Sequence, residues 1–138
     1  MIAKMSHVSI YVIDQDSAYD FYVNKLGFTV HTDAKMGDAG RWLTLTAPEN
    51  REQEIVLMPI QAGMSFTEDS AAQMRTLVRN GSFGFGVFET YDIYATYEEL
   101  SNKGVEFIKP PTKEFYATEA IFKDDSGNWF SLTERKKQ

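Results

Sequence analysis

The stretch "SHVSIYVIDQDSAYDFYVNKLGF", residues 6–28, decides the fold, because a strand, a capped helix and a stop follow one another within it. Residues 6–12 alternate in character: Val8, Ile10 and Val12 fall on one face of a strand, and His7, Ser9 and Tyr11 on the other. Asp14 and Asp16 offer N-caps for a helix through "SAYDFYVNKL", and Gly27 can end it. Three strand-like runs come next: "FTVHT", "RWLTLTA" and "QEIVLMPI", the last two separated by the turn-rich "PENRE". The order is βαβββ.

"FTEDSAAQMRTLVRNG", residues 66–81, has the pattern of a connecting helix, with Thr67 as its cap and Gly81 as its stop. The order then repeats. "SFGFGVFET" is a strand, "IYATYEELSNKG" a helix, and "VEFIK", "TEAIFKD" and "NWFSLTE" are strands, with a "DSGN" hairpin turn before the last. Residue identities support the repeat. Asp14 matches Asp92, 78 positions later, and Asn24-Lys25 match Asn102-Lys103 at the same spacing. Gly27 matches Gly104 at 77, which implies one residue fewer in the second helix. Neither half has enough apolar surface for a comfortable core of its own, so the two are expected to share one sheet system. The expected organisation is one domain over 1–138: module one 1–62, a helical linker 63–81 and module two 82–138.

With 138 residues, 43% of them hydrophobic, the chain suits a single well-packed domain. A net charge of −6 provides no basic field for phosphates, which argues against non-specific binding to nucleic acid or an anionic membrane. The basic "RKK" at 135–137 is too short to alter this and is expected to be a solvated end. The absence of cysteine excludes disulfides, thiolate metal sites and a cysteine nucleophile. The start "MIAKMSHV" lacks the apolar core of a secretory signal and no run approaches a membrane span, so a soluble, cytoplasmic protein is expected.

The βαβββ repeat, "FYVNKLGF" ending the first helix, "YEELSNKGVEF" in the second and "FKDDSGNWFSL" near the end resemble the glyoxalase / bleomycin-resistance / extradiol-dioxygenase superfamily, the vicinal oxygen chelate fold. The resemblance covers nearly the whole chain. It implies an α+β fold in which two βαβββ modules form one cupped, mixed-sheet domain. It does not fix a reaction, because the superfamily includes lyases, epimerases, dioxygenases, thiol transferases and proteins that only bind a drug.

In the metal-using members each module supplies one ligand from its first strand and one, usually a carboxylate, from its last. Carried over, the resemblance assigns His7 and Glu54 to these places in module one, and Phe85 and Ser131 to those in module two. Two of the four positions hold residues that can bind a metal. Strand parity agrees with a shared site face: Glu54 lies opposite Ile55 and Leu57, and Ser131 opposite Phe130 and Leu132. Phe85 faces away from Gly84 and Gly86, glycines expected to let a helix approach closely.

A catalytic divalent site wants three or four imidazole, carboxylate or thiolate ligands. One histidine and one carboxylate are too few, so no cofactor is favoured. Zn, Ni, Mn or Fe would need further donors from Glu89, Tyr116 or the ligand itself. His7 is then a pocket-wall residue hydrogen-bonded to Glu54, and these two are also the only candidates for acid–base catalysis. His31 in "FTVHTD" is expected to be a surface strand residue. "GFG" at 84–86 lies within a strand and is no phosphate loop, and no serine sits in a nucleophile elbow.

The aromatic residues say more. Phe83, Phe85 and Trp129 share the parity of the supposed site, as does Tyr11, and Tyr116 sits just before a strand where relatives place a loop over the pocket. Core filling is the plainer role for such rings. Lining a cavity, together with Ser131, they suit a flat, largely apolar or aromatic molecule held by stacking and burial. The expected function is metal-independent small-molecule binding; the alternative is a metal-dependent glyoxalase-like lyase or a dioxygenase-like enzyme. Relatives often pair as homodimers, and Met74, Leu77 and Val78 of the linker helix are candidates for such a contact.

Overall fold

A computed structural model describes residues 1–63 and 65–135, apart from the side chain at position 39. The basic end expected at 135–137 therefore lies, beyond Arg135, outside the described residues.

The chain divides into two compact units, Met1–Arg75 and Thr76–Gln138, which meet within the linker helix. Unit one contains β1 (His7–Val12), α1 (Gln15–Tyr19) running into a π-helical turn (Asp20–Lys25), β2 (Thr29–Lys35), β3 (Arg41–Ala47) and β4 (Asn50–Pro59). The linker helix α2 spans Glu68–Arg79. Unit two contains β5 (Phe85–Thr90), α3 (Ile93–Asn102), β6 (Phe107–Lys113), β7 (Thr118–Lys123) and β8 (Trp129–Glu134). The sheet orders are β1-β4-β3-β2 and β5-β8-β7-β6, so the two βαβββ modules share one topology. In each, the first strand pairs in parallel with the last and the remaining pairings are antiparallel.

The helix starts follow the sequence signals. Asp14 accepts the amide hydrogens of Asp16 and Ser17 at 2.8 and 3.0 Å, and Asp92 accepts that of Ala95 at 3.1 Å. Thr67 and Ser70 cap α2 reciprocally, Thr67 Oγ1 accepting from the Ser70 amide at 3.0 Å and Ser70 Oγ from the Thr67 amide at 2.8 Å. The one-residue difference between the two module helices has a structural counterpart. Leu26 N–H bonds to the carbonyl of Phe21, five residues back, so the first helix takes up its extra residue as a π-turn. Gly27 and Gly104 then both end their helices in the left-handed region, at φ 80° and 89°.

Several local expectations are corrected. "PENRE" separates the strands only in part: Ala47 pairs with Asn50, leaving Pro48 and Glu49 between them, and β4 already begins at Asn50. β5 begins at Phe85, so Phe83 lies in the approach to the strand and not on its face. β6 runs through Pro110 and Pro111, which lack the N–H of a central strand but are tolerated on this edge. Gly86 makes room for a ring, not a helix, because a Cβ there would sit 3.2 Å from the Phe130 ring. Val78 is fully buried, so it cannot serve in a contact with a second chain; Leu77 beside it is exposed.

One face of each sheet packs beneath its own helix. In unit one Val12, Leu43, Leu45 and Leu57 of the sheet are buried, as are Ala18, Phe21 and Tyr22 of the helix. In unit two Phe122, Phe130 and Leu132 bury with Ile93 and Leu100, and Phe88, Phe107 and Tyr97 extend the ring cluster.

The "DSGN" turn is locked from two sides. Asp124 Oδ1 accepts the amide hydrogens of Ser126, Gly127 and Asn128 at 2.9, 3.0 and 2.9 Å, and Oδ2 accepts from the Asn128 side chain at 3.0 Å. Gly127, at φ 111°, lies against the end of α2, where an added Cβ would be 2.7 Å from the carbonyl oxygens of both Val78 and Arg79. Gly127→Ala should therefore lower stability by about 2–4 kcal/mol, combining backbone strain with a clash against backbone atoms. Gly37, at φ 59° with nothing within 4 Å, is the control, and Gly37→Ala should cost only about 1 kcal/mol. Urea unfolding of the two variants checks the order; equal losses would disprove the contact.

Candidate functional site

Parallel pairing of the first and last strands places specific side chains next to each other. His7 lies opposite Glu54 and Phe85 opposite Trp129. The counterpart of Glu54 in module two is thus Trp129, and Ser131 stands two residues further along the same face, opposite Val87. The register thus sets Ser131 two residues beyond the position equivalent to Glu54.

In unit one three polar side chains close on Glu54. His7 Nε2 lies 2.9 Å from Oε2, His31 Nδ1 3.0 Å from Oε1, and Thr44 Oγ1 donates to Oε1 at 2.9 Å. Thr44 is fully buried, and this bond satisfies its hydroxyl. The Trp42 ring lies 6.3 Å from the His7 ring, tilted by 40°. Tyr11, further along β1, packs edge-on against Phe66 at 5.5 Å.

His31 was expected to be an uninvolved surface residue, yet it belongs to this cluster. The cause is a bulge: Val30 pairs with Leu45 but Thr32 pairs with Thr44, so His31 is the extra residue and escapes simple alternation. Nothing in the composition around "FTVHTD" marks that bulge. Thr44 was missed for a related reason, since "RWLTLTA" does not reveal which threonine meets a carboxylate.

Unit two carries a different arrangement. The Phe85 and Trp129 rings stack with centroids 4.7 Å apart and planes within 9°. The Trp129 indole donates to the carbonyl of Gly81 at 3.0 Å, which fixes the ring against the segment that ends α2. Phe85 nonetheless remains 61% exposed, as is Phe83 at 45% and Tyr116 at 54%.

Unit two also carries a second carboxylate, Glu119 on β7, which gathers three donors. Lys109 Nζ and the Tyr116 hydroxyl donate to Oε1 at 2.7 and 2.5 Å, and the buried Ser131 hydroxyl donates to Oε2 at 2.5 Å. Lys109 also reaches Glu114 at 3.3 Å. The Lys109 ammonium, then the Ser131 and Tyr116 hydroxyls, hold the Glu119 carboxyl down at about 2. The Lys109 ammonium is raised by the same contact, and hydrogen bonding to the carboxylate raises the Tyr116 phenol. Carboxylate and hydroxyl have exchanged strands between the modules: Thr44 on β3 donates to Glu54 on β4, whereas Ser131 on β8 donates to Glu119 on β7. Glu119 and Lys109 were missed because a search of the last strand alone passes over β7 and β6.

Among the described residues no group of three or more His, Cys, Asp or Glu side chains is placed to hold a metal ion.

The chain belongs to the glyoxalase/bleomycin resistance protein/dioxygenase superfamily, whose model matches residues 4–132. It is 44% identical to UcmS2, with a TM-score of 0.90 over 98% of this chain and 100% of that one. TnmS3, an antibiotic binding protein from Streptomyces sp. CB03234, is 27% identical, with a TM-score of 0.73 over 98% of each chain. YetH of Bacillus subtilis, an uncharacterised protein, is 36% identical over 97% of this chain and 100% of its own length. Among the described residues no helix is long and apolar enough to cross a membrane.

The depressed Glu119 carboxyl makes a pH prediction. In the unfolded chain this group titrates near 4.5, and in the fold at about 2. Its stabilising contribution is complete above the higher value and disappears as pH falls through the lower. Glu119→Gln should therefore flatten the loss of stability between those two pH values, measured by denaturant midpoints across the range. An acid limb identical to that of the parent chain would show that the Lys109–Ser131–Tyr116 contacts do not hold the carboxylate.

Proposed function

We propose that this chain is a metal-independent binding protein for a planar, largely apolar small molecule, held on the Phe85–Trp129 stack. The observation that carries this is the exposed Phe85 ring lying flat on an anchored indole. An apolar ring left in water gains free energy when a flat partner covers it, by about 25 cal/mol for each Å² removed from solvent. Offset stacking adds to this. The same two residues occupy the register position at which unit one carries a histidine and a carboxylate, so unit two presents rings there in place of metal donors. The antibiotic-binding description of TnmS3 supports binding over turnover.

Fluorescence tests the proposal. Trp42 is the only other tryptophan, so the measurement uses a Trp42→Phe chain, in which planar aromatic compounds should alter Trp129 emission. Phe85→Ala should weaken binding by about 1–3 kcal/mol, as expected for a stacked anchor ring. A folded Phe85→Ala protein with unchanged affinity for every compound bound by its parent would refute the stack as the site. Elemental analysis of protein purified without chelators or a metal-affinity tag addresses the metal. One equivalent of Zn, Ni, Mn or Fe retained through dialysis against a weak chelator would transfer the function to a metal-dependent lyase or dioxygenase-like enzyme.

A further inference from the structure

The stop of the linker helix doubles as the seat of the indole on which the stack is built. α2 closes with two bonds: Ser82 N–H donates to the Leu77 carbonyl at 2.9 Å, and Gly81 N–H to that of Val78 at 3.0 Å. This closure needs a residue in the left-handed region, and Gly81 supplies it at φ 69°. The Gly81 N–H thus serves the helix, while its carbonyl serves Trp129, accepting Nε1–H at 3.0 Å. A Cβ at position 81 would lie 3.4 Å from the neighbouring ring atom, Trp129 Cδ1, and 3.3 Å from the Gly127 carbonyl oxygen. Gly81 therefore meets one edge of the indole twice, with an acceptor and with the space a side chain would fill. The helix end is itself confined, because a Cβ on Gly127 would lie 2.7 Å from the carbonyl oxygens of both Val78 and Arg79. An indole has a single hydrogen-bond donor, so this one bond sets the plane to which Phe85 lies within 9°.

We infer that Gly81 is a positioning residue for the ligand platform, and that closure of the α2 end and binding on the Phe85–Trp129 stack are coupled. The inference rests on the stack as the binding site. When the helix end opens, the Gly81 carbonyl leaves the indole, the ring is free to turn, and the flat surface it holds beneath Phe85 is lost. A ligand that needs this surface binds the closed end better than the open one. By linkage it holds the end closed by the same factor. The segment stiffened in this way is the end of the linker helix within which the two compact units meet. Gly27 is the matched control. It ends the first helix at φ 80° with nothing within 4 Å of an added Cβ, so it shares the backbone strain of Gly81 without the contact to a ring.

The test titrates 2-naphthol, a flat aromatic probe, into the full chain by calorimetry. Gly81→Ala should weaken binding about three- to tenfold, as for the loss of one hydrogen bond, and Gly27→Ala should leave it unchanged. In a Trp42→Phe background one indole N–H remains, and its proton resonance should move in Gly81→Ala but stay in place in Gly27→Ala. Hydrogen exchange of the parent chain needs no variant. Saturating naphthol should slow the amides of Gly81 and Ser82, which close α2, and leave those of Leu26 and Phe28, which close the first helix, as they were. That measurement decides alone if Gly81→Ala does not fold. Binding weakened by Phe85→Ala but not by Gly81→Ala, an equal loss in Gly27→Ala, or no greater slowing at the α2 end than at the first helix overturns the coupling and leaves the stack as the site. Naphthol that does not bind the parent chain, or that binds Phe85→Ala as tightly, overturns the stack and the inference with it.

Discussion

The parallel pairing of first and last strands is the constraint on which the rest of each module depends. Antiparallel neighbours can be joined by a tight hairpin, but two parallel strands need a crossover, and in each module the helix and two further strands provide it. The pairing brings residues 47 positions apart in unit one, His7 and Glu54, to one spot, and does the same for Phe85 and Trp129 in unit two. It also sends alternate residues to the helix, which is why Val8, Ile10 and Val12 lead inward while His7, Ser9 and Tyr11 are left for the other face. A one-residue slip would exchange those two sets and bury an imidazole under α1.

The two modules meet this constraint with different local corrections. In the first helix an extra residue is absorbed as a π-turn, so that Gly27 still ends it as Gly104 ends the second. On β2 an extra residue becomes a bulge and turns His31 toward Glu54. The π-turn leaves the site untouched. The bulge adds a side chain to it.

That difference explains what the sequence could reveal. Caps and stops are local, and Asp14, Thr67, Asp92, Gly27 and Gly104 act as their positions in the chain suggest. The helix insertion was legible too, as a change in repeat spacing from 78 to 77. Strand register is not local. The pairing of Phe85 with Trp129 rather than Ser131 follows from the lengths of the intervening loops and strands, and a pattern of period two cannot distinguish positions two residues apart. The same ambiguity hid Glu119, whose importance comes from Ser131 across the β7–β8 ladder and Lys109 from β6. Phe83 was misplaced because "SFGFG" alternates before the strand itself begins.

Each unit satisfies its carboxylate from within. Glu119 accepts three hydrogen bonds, and Glu54 accepts one from Thr44 with His7 and His31 within 3.0 Å; each carboxylate takes a hydroxyl buried on the adjacent strand, and among the described residues no buried side-chain polar atom lacks a partner. A charged group held in this way has little to gain from a ligand, because any new bond must displace an existing one. What the site faces leave unsatisfied is apolar area, concentrated in Phe85 on its anchored indole. Selectivity should therefore arise less from charge than from flatness. The carboxylates matter to binding through the geometry they impose on their neighbours.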